Sequence, residues 1–412
     1  MKSSLPALLS FLTLLTISTP AADWREWRGP NQNGVAESGQ TPPTSWSESS
    51  NVIWKADIPG QGHSSPTLVG NRLFITAANN ADQTQSVLCY SRDSGELLWQ
   101  RTVAKGQFAE KIHKKNTQAS PTPASDGERV FVTFNSGEVI YVAAFDLEGN
   151  ELWKKSAGDY KSQFPFGYGA SPILYKEMVI VTAESKSGYI AAFDRKTGSE
   201  VWRAPRNKWT SYSTPVIANL AGKDQLVLSG NNRITSFDPN TGKMNWESRG
   251  STKSTCGTVV WDGDVVFASG GFPGKETVAM KADGTGKVVW KNNTKVYEQS
   301  MLVHDGYLYA LDDNGIVYCW STSDGRTMWR ERLGGPVSSS PILAGGLIYA
   351  SNERGQTFVF KPNPNELDLV ATNQLGDDIF ATPTIVDSRI YLRVGNYKGE
   401  TRSETLYCLG KP

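Results

Sequence analysis

Seven tryptophans recur along the chain at Trp54, Trp99, Trp153, Trp202, Trp246, Trp290 and Trp329, with gaps of 45, 54, 49, 44, 44 and 39 residues. A period of this size means stacked copies of one small supersecondary unit. Each tryptophan after the first closes a similar phrase, clearest in AFDRKTGSEVW (192–202) and SFDPNTGKMNW (236–246). In that phrase an Asp such as Asp194 or Asp238 bonds forward into a tight turn. A glycine, Gly198 or Gly242, then supplies a positive-φ position. The tryptophan follows four residues later, a distance kept after Gly95, Gly149, Gly286 and Gly325. An indole buried between units contributes at most roughly 4–6 kcal/mol, so these residues are the expected blade-docking contacts.

Between one tryptophan and the next the chain reads as four short strands. In the first unit these are HSSPTLVG, RLFITAA, SVLCYS and ELLWQR, separated by turn residues, and no segment reads as a long amphipathic helix. Most units open with a Ser-Pro or Thr-Pro step: Ser65-Pro66, Ser120-Pro121, Ser171-Pro172, Thr214-Pro215, Ser340-Pro341 and Thr382-Pro383. Thr255-Cys256-Gly257 and Gln299-Ser300-Met301 stand in that place in two further units, which makes eight. The last, about 369–409, has no turn-plus-tryptophan phrase after it, and NVIWKAD (51–57) has a tryptophan without a preceding turn. Pairing the two leaves no open sheet edge where the ring joins. The expectation is an all-β fold: an eight-bladed β-propeller of four-stranded antiparallel blades over 51–412, closed by an N-terminal strand.

Ahead of the ring, Lys2, the apolar run 7–17 and the small residues Thr19, Ala21 and Ala22 have the layout of a cleaved secretory signal over 1–22. The apolar run is too short to span a membrane comfortably, so no membrane span is expected after cleavage, and the location is periplasmic or secreted. Residues 23–50 carry Trp24, Trp27 and Trp46 and are expected to pack on the propeller, across one mouth or along its outer side. Forty-two basic and 41 acidic residues, with KIHKK (111–115) the one compact basic run, exclude nucleic acid as the expected partner. Cys89, Cys319 and Cys408 take the small-residue place that Ala144 and Ala192 fill elsewhere and are expected as buried thiols, while Cys256 falls nearer the axis.

The units resemble the PQQ-like β-propeller repeat of quinoprotein alcohol dehydrogenases and of BamB-type outer-membrane assembly propellers. WREWRGPNQNGV, GQGHSSP, NTQASPTPASDGERVFVTF, SYSTP and LYALDDNGIVYCW look like exported planctomycete-type members. The quinoprotein resemblance implies pyrroloquinoline quinone with calcium in a central funnel beneath adjacent cysteines. Here no two cysteines are adjacent and no C-x-x-C-H haem segment occurs. The BamB resemblance implies a docking surface without chemistry, although no cysteine for a lipid anchor lies near the cleavage region.

Loops before each innermost strand, and those between second and third strands, face one mouth of a propeller. They direct His63, His113, Lys114, Asn116, Tyr168, Tyr212, Glu298 and Asp378 toward a common funnel as candidate ligand contacts. Glu298 and Asp378 qualify as an acid–base pair only if the funnel is narrow. No metal site is expected: His63, His113 and His304 lack ligand spacing, and Asp312-Asp313-Asn314-Gly315 reads as a turn. Gly270 to Gly274 precede no helix and make no phosphate cradle.

The expected function is an exported, noncatalytic binding or scaffold module for a cell-envelope or extracellular protein or polymer, without cofactor. The alternatives are a PQQ-dependent dehydrogenase and a carbohydrate-active enzyme.

Overall fold

A computed structural model describes residues 22–161, 163–183, 188–206 and 211–411. The expected signal segment, apart from Ala22, lies outside the described residues. Thirty-two strands form eight four-stranded antiparallel sheets, and the described residues contain no helix. In blades 1 to 7, spanning 67–105, 124–159, 173–205, 216–249, 260–292, 302–332 and 342–374, spatial order follows chain order from the inner strand outward. Blade 8 joins three strands of 384–409 to Val52–Ile58, which pairs antiparallel with the last strand as the outer member. Two openings are displaced from their expected places: the inner strand of blade 2 follows Thr122-Pro123, and that of blade 5 follows Thr258.

The repeated phrase acquires a physical meaning from the blade junctions. Trp153, on the outer strand of blade 2, lies against the turn of blade 3, where a Cβ on Gly198 would come within 2.6 Å of the indole. Gly198 also has φ +68°. The glycine is therefore demanded twice, by the turn and by the neighbouring ring, which fixes its spacing from the next tryptophan. The Trp153 indole N–H donates to Arg195 O at 3.2 Å across the junction. Trp54, Trp99, Trp202, Trp290 and Trp329 donate in the same way to Arg92, Leu147, Pro239, Thr322 and Asn363 carbonyls of the following blade. Trp54 thus latches blade 8 to blade 1 and completes the ring. Trp246 departs from the pattern, donating to Gln225 Oε1 of its own blade at 2.8 Å.

In seven of the eight blades a tryptophan on the outer strand sits opposite a small residue on the third strand, as in Ala144–Trp153 and Ala192–Trp202. Cys89, Cys319 and Cys408 occupy that place opposite Trp99, Trp329 and Trp54, and all three are buried free thiols. Ala371 stands at the tryptophan position of blade 7. The missing indole is supplied by Trp46, stacked 6.5 Å from Tyr349 of blade 7 and packed in the hydrophobic cluster shared with blade 8. Trp46 N–H donates to Asn373 Oδ1, and Asn373 Nδ2 donates to Thr44 O.

The segment preceding Trp46 crosses one end of the channel and touches every blade. Trp24 exchanges two main-chain hydrogen bonds with Leu68 of blade 1. Arg25 O accepts from Ser125 N of blade 2, Glu26 Oε2 from Leu174 N of blade 3, and Gln32 Oε1 from Ile217 N of blade 4. Trp27 Nε1 donates to Thr258 Oγ1 before blade 5, and the buried Arg28 guanidinium to Met301 O before blade 6. Leu343 of blade 7 bonds Gly34 and Ala36, and Ser388 N of blade 8 donates to Gln40 Oε1. An inner strand has one free edge, and the plug satisfies part of it in blades 1, 2, 3, 4 and 7, while in blades 5, 6 and 8 it bonds residues flanking the inner strand.

Candidate functional site

The opposite end of the channel opens into a funnel with a cavity volume of about 190 Å³. Loops preceding all eight inner strands line it, and Trp27 of the plug contributes to its floor. Around the wall runs a belt of hydroxyl residues at the blade openings. Ser65 N donates to Thr122 Oγ1, Thr122 N to Ser171 Oγ, and Ser171 N to Thr214 Oγ1. Thr258 N, Ser300 N and Ser340 N donate to Ser300, Ser340 and Thr382 hydroxyls in turn. The recurrent Ser-Pro and Thr-Pro steps thereby serve a common purpose: proline starts the strand, and the hydroxyl ties one blade to the last.

His63, His113, Asn116, Tyr212 and Glu298 line the cavity. The His63 ring stacks on Phe380 at 4.5 Å and 9°. Burial, with Arg402 and Arg393 nearby, holds its pKa well below the usual 6.5, so the ring is uncharged at neutral pH. Behind Phe380 lies an internally neutral network. Arg402 donates to both oxygens of Asp378 at 2.8 and 2.7 Å and also bonds Glu404, which Arg393 engages from the other side at 2.5 Å. Asp378 is committed to Arg402 and does not line the cavity. Tyr168 also lies outside it, its hydroxyl donating to Thr182 O at 3.0 Å. Lys114 is exposed, and the adjacent Lys115 points into the funnel instead.

Lys115 Nζ lies 2.6 Å from Glu353 Oε1 and 3.4 Å from Glu298 Oε2. Ser338 Oγ bonds the same two carboxyl groups. Burial disfavours the ammonium ion, but the two carboxylates outweigh it and raise the lysine pKa. Burial, opposed by Lys115 and Ser338 and reinforced by Asp313 and Glu353, pushes the Glu298 carboxyl up. Lys115→Met is expected to destabilise the fold by about 2–3 kcal/mol, below the ~3–5 of a fully buried pair because Lys115 and Glu298 keep 22% and 21% of their side-chain surface. The two carboxylates would then repel. The loss is largest above neutral pH and shrinks as acid protonates them, which urea unfolding at pH 8 and pH 5 measures.

On the rim, Phe164, Phe166 and Phe272 form an aromatic cluster with ring centroids 5.3–5.9 Å apart, and Phe166 touches Tyr212 at 5.6 Å. Phe272 is 39% exposed. Lys253 Nζ lies 5.4 Å from the Phe164 ring centre. Cys256 lines the cavity beside Tyr297, and burial, with Glu298 nearby, holds its thiol protonated. The phenylalanines, Glu353 and Ser338 carry no local motif, and Lys115 is marked only as the last residue of the basic run KIHKK. The only other available signal is their placement in funnel-side loops.

A family model described as outer membrane protein assembly factor BamB matches residues 35–156, 83–283 and 274–362. The chain belongs to the BamB family. Overlapping matches are what a repeating chain gives when one unit aligns to several. The BamB protein of Bordetella pertussis is 21% identical over 361 residues, covering 84% of each chain. Among solved structures, BamB from Moraxella catarrhalis superimposes with a TM-score of 0.61 at 15% identity, over 86% of this chain and 96% of that one. A europium-containing methanol dehydrogenase gives 0.70 at 13% identity, over 94% and 98%. The BamB family fold is thus shared with dehydrogenases, and these structural likenesses establish the ring and not an activity.

Proposed function

We propose that this chain is a noncatalytic binding module of the cell envelope that holds a protein or extracellular polymer at the funnel mouth. One observation carries the reading: the funnel's charged groups are already matched to one another, while its rim presents a cluster of three phenylalanines of which Phe272 is exposed. Lys115 is held by Glu298 and Glu353, and Arg402 by Asp378 and Glu404. Clustered aromatics that are half-buried or exposed beside a lysine mark a docking surface more than a reaction centre. The expected leader and the outer-membrane relatives support an envelope location.

The dehydrogenase alternative requires a polyanionic quinone and a calcium ion in this funnel. The donor set does not suit them. Lys115 is the one lysine or arginine lining the cavity among the described residues, and it is engaged. The described residues also contain no cluster of three His, Cys, Asp or Glu side chains able to hold a metal. The carbohydrate-active alternative calls for carboxylates flanking a substrate. Glu298 and Glu353 instead share one lysine and one serine as partners, and Glu353 is not in the cavity wall.

Calorimetric titration of the purified mature protein with PQQ, with and without calcium, is expected to give no stoichiometric binding, and the mixture no dye reduction with alcohols. Micromolar binding with PQQ-dependent turnover would replace this reading by the dehydrogenase one.

A further inference from the structure

The belt hydroxyls that face the cavity have donors to spare. Thr122, Ser171, Thr214 and Thr382 each accept a main-chain N–H of another blade, and their O–H hydrogens find no acceptor among the described residues. Trp27 commits its indole N–H to Thr258 Oγ1 and so brings only hydrocarbon π surface to the floor. The cavity, about 190 Å³, is below the usual range of about 300–1,000 Å³ for a drug-sized ligand and suits one ring-sized unit. With His63 uncharged and Lys115 held by two carboxylates, neither offers an anion a free positive charge.

A purely apolar ligand would leave the O–H groups unmet, at a desolvation cost for each. An anionic ligand would face Glu298 without a free counter-charge. A neutral ring bearing several oxygen acceptors and C–H faces satisfies both halves of the site. We infer that the funnel floor binds one sugar residue of a neutral glycan, with Trp27 as its apolar platform and Thr122, Ser171, Thr214 and Thr382 as donors to its oxygens. This rests on the binding-module reading and names the polymer class taken at the same mouth. The site performs no reaction on the sugar.

Calorimetry or saturation-transfer NMR on the full mature chain tests it with cellopentaose, maltopentaose and chitopentaose, and with oligogalacturonate as the anionic comparison. Saturable binding of at least one neutral oligosaccharide is expected, at least tenfold tighter than oligogalacturonate. Trp27→Leu should weaken it at least tenfold, whereas Trp27→Phe, which also loses the Thr258 bond but keeps an aromatic face, should retain most of it. Matched melting curves of the two variants separate recognition from folding.

No binding of any neutral probe at millimolar concentration would overturn the inference, as would a folded Trp27→Leu protein that binds like the parent. If the sugars fail while the aromatic rim still cross-links to an envelope protein, the glycan inference falls and the binding-module reading stands. If both fail, both fall.

Discussion

A chain lacking residues 23–50 is expected to lose its cooperative fold. Each inner strand would lose a main-chain partner or a flanking contact, since Leu68, Ser125, Leu174, Ile217, Leu343 and Ser388 all donate N–H groups to this segment. Trp24 and Trp46, 2% and 6% exposed, would leave their sites empty. Truncating a buried tryptophan costs about 3–5 kcal/mol, and two separated sites roughly add. The sum, about 6–10 kcal/mol, is comparable with the whole net stability of a typical folded domain, about 5–15. Near-UV circular dichroism on heating should show the transition broadened or lost. A melting temperature within a few degrees of the parent would show that the plug is dispensable.

The second large effect is expected from Glu404→Leu. Glu404 is 1% exposed and joins Arg393, Arg402 and the Gly62 N–H, so it ties the third strand of blade 8 to the loop entering blade 1. Removing it leaves the Arg393 guanidinium without a carboxylate in a water-poor site, while Arg402 keeps Asp378. The expected loss is about 3–5 kcal/mol. Replacing Arg393 by Met as well should recover a substantial part, because the uncompensated charge next to the cavity goes with it. Urea unfolding of the single and double variants measures both. A single variant within about 1 kcal/mol of the parent would contradict the network's role.

The ring was legible because its code is local: turn glycine, four residues, tryptophan, with a small residue opposite on the preceding strand. The closing strand was legible by subtraction, since blade 8 lacked an outer strand and Trp54 lacked a blade. Trp46 could have been found the same way, as the indole missing from Ala371. Eight-point anchoring of the plug could not, because most of those contacts are to main-chain groups and leave no side-chain code. His63 and Tyr212 were legible because each stands shortly before a strand-opening step. Lys115, Glu298 and Glu353 come together from three loops far apart in sequence, so the pairing that neutralises the funnel had no spacing to betray it. Tyr168 shows the limit of alternation near a loop: it turns back to Thr182 of its own blade, and Phe166 faces the channel.

Site-specific photo-cross-linking in the intact cell envelope tests the central claim most directly. A photo-reactive residue in place of the rim phenylalanine Phe272 should give a discrete adduct with a partner, while the same group in place of Leu152, exposed on the outer strand of blade 2, should give none. Adducts from position 152 alone, or from neither position, would contradict a binding face at the funnel mouth.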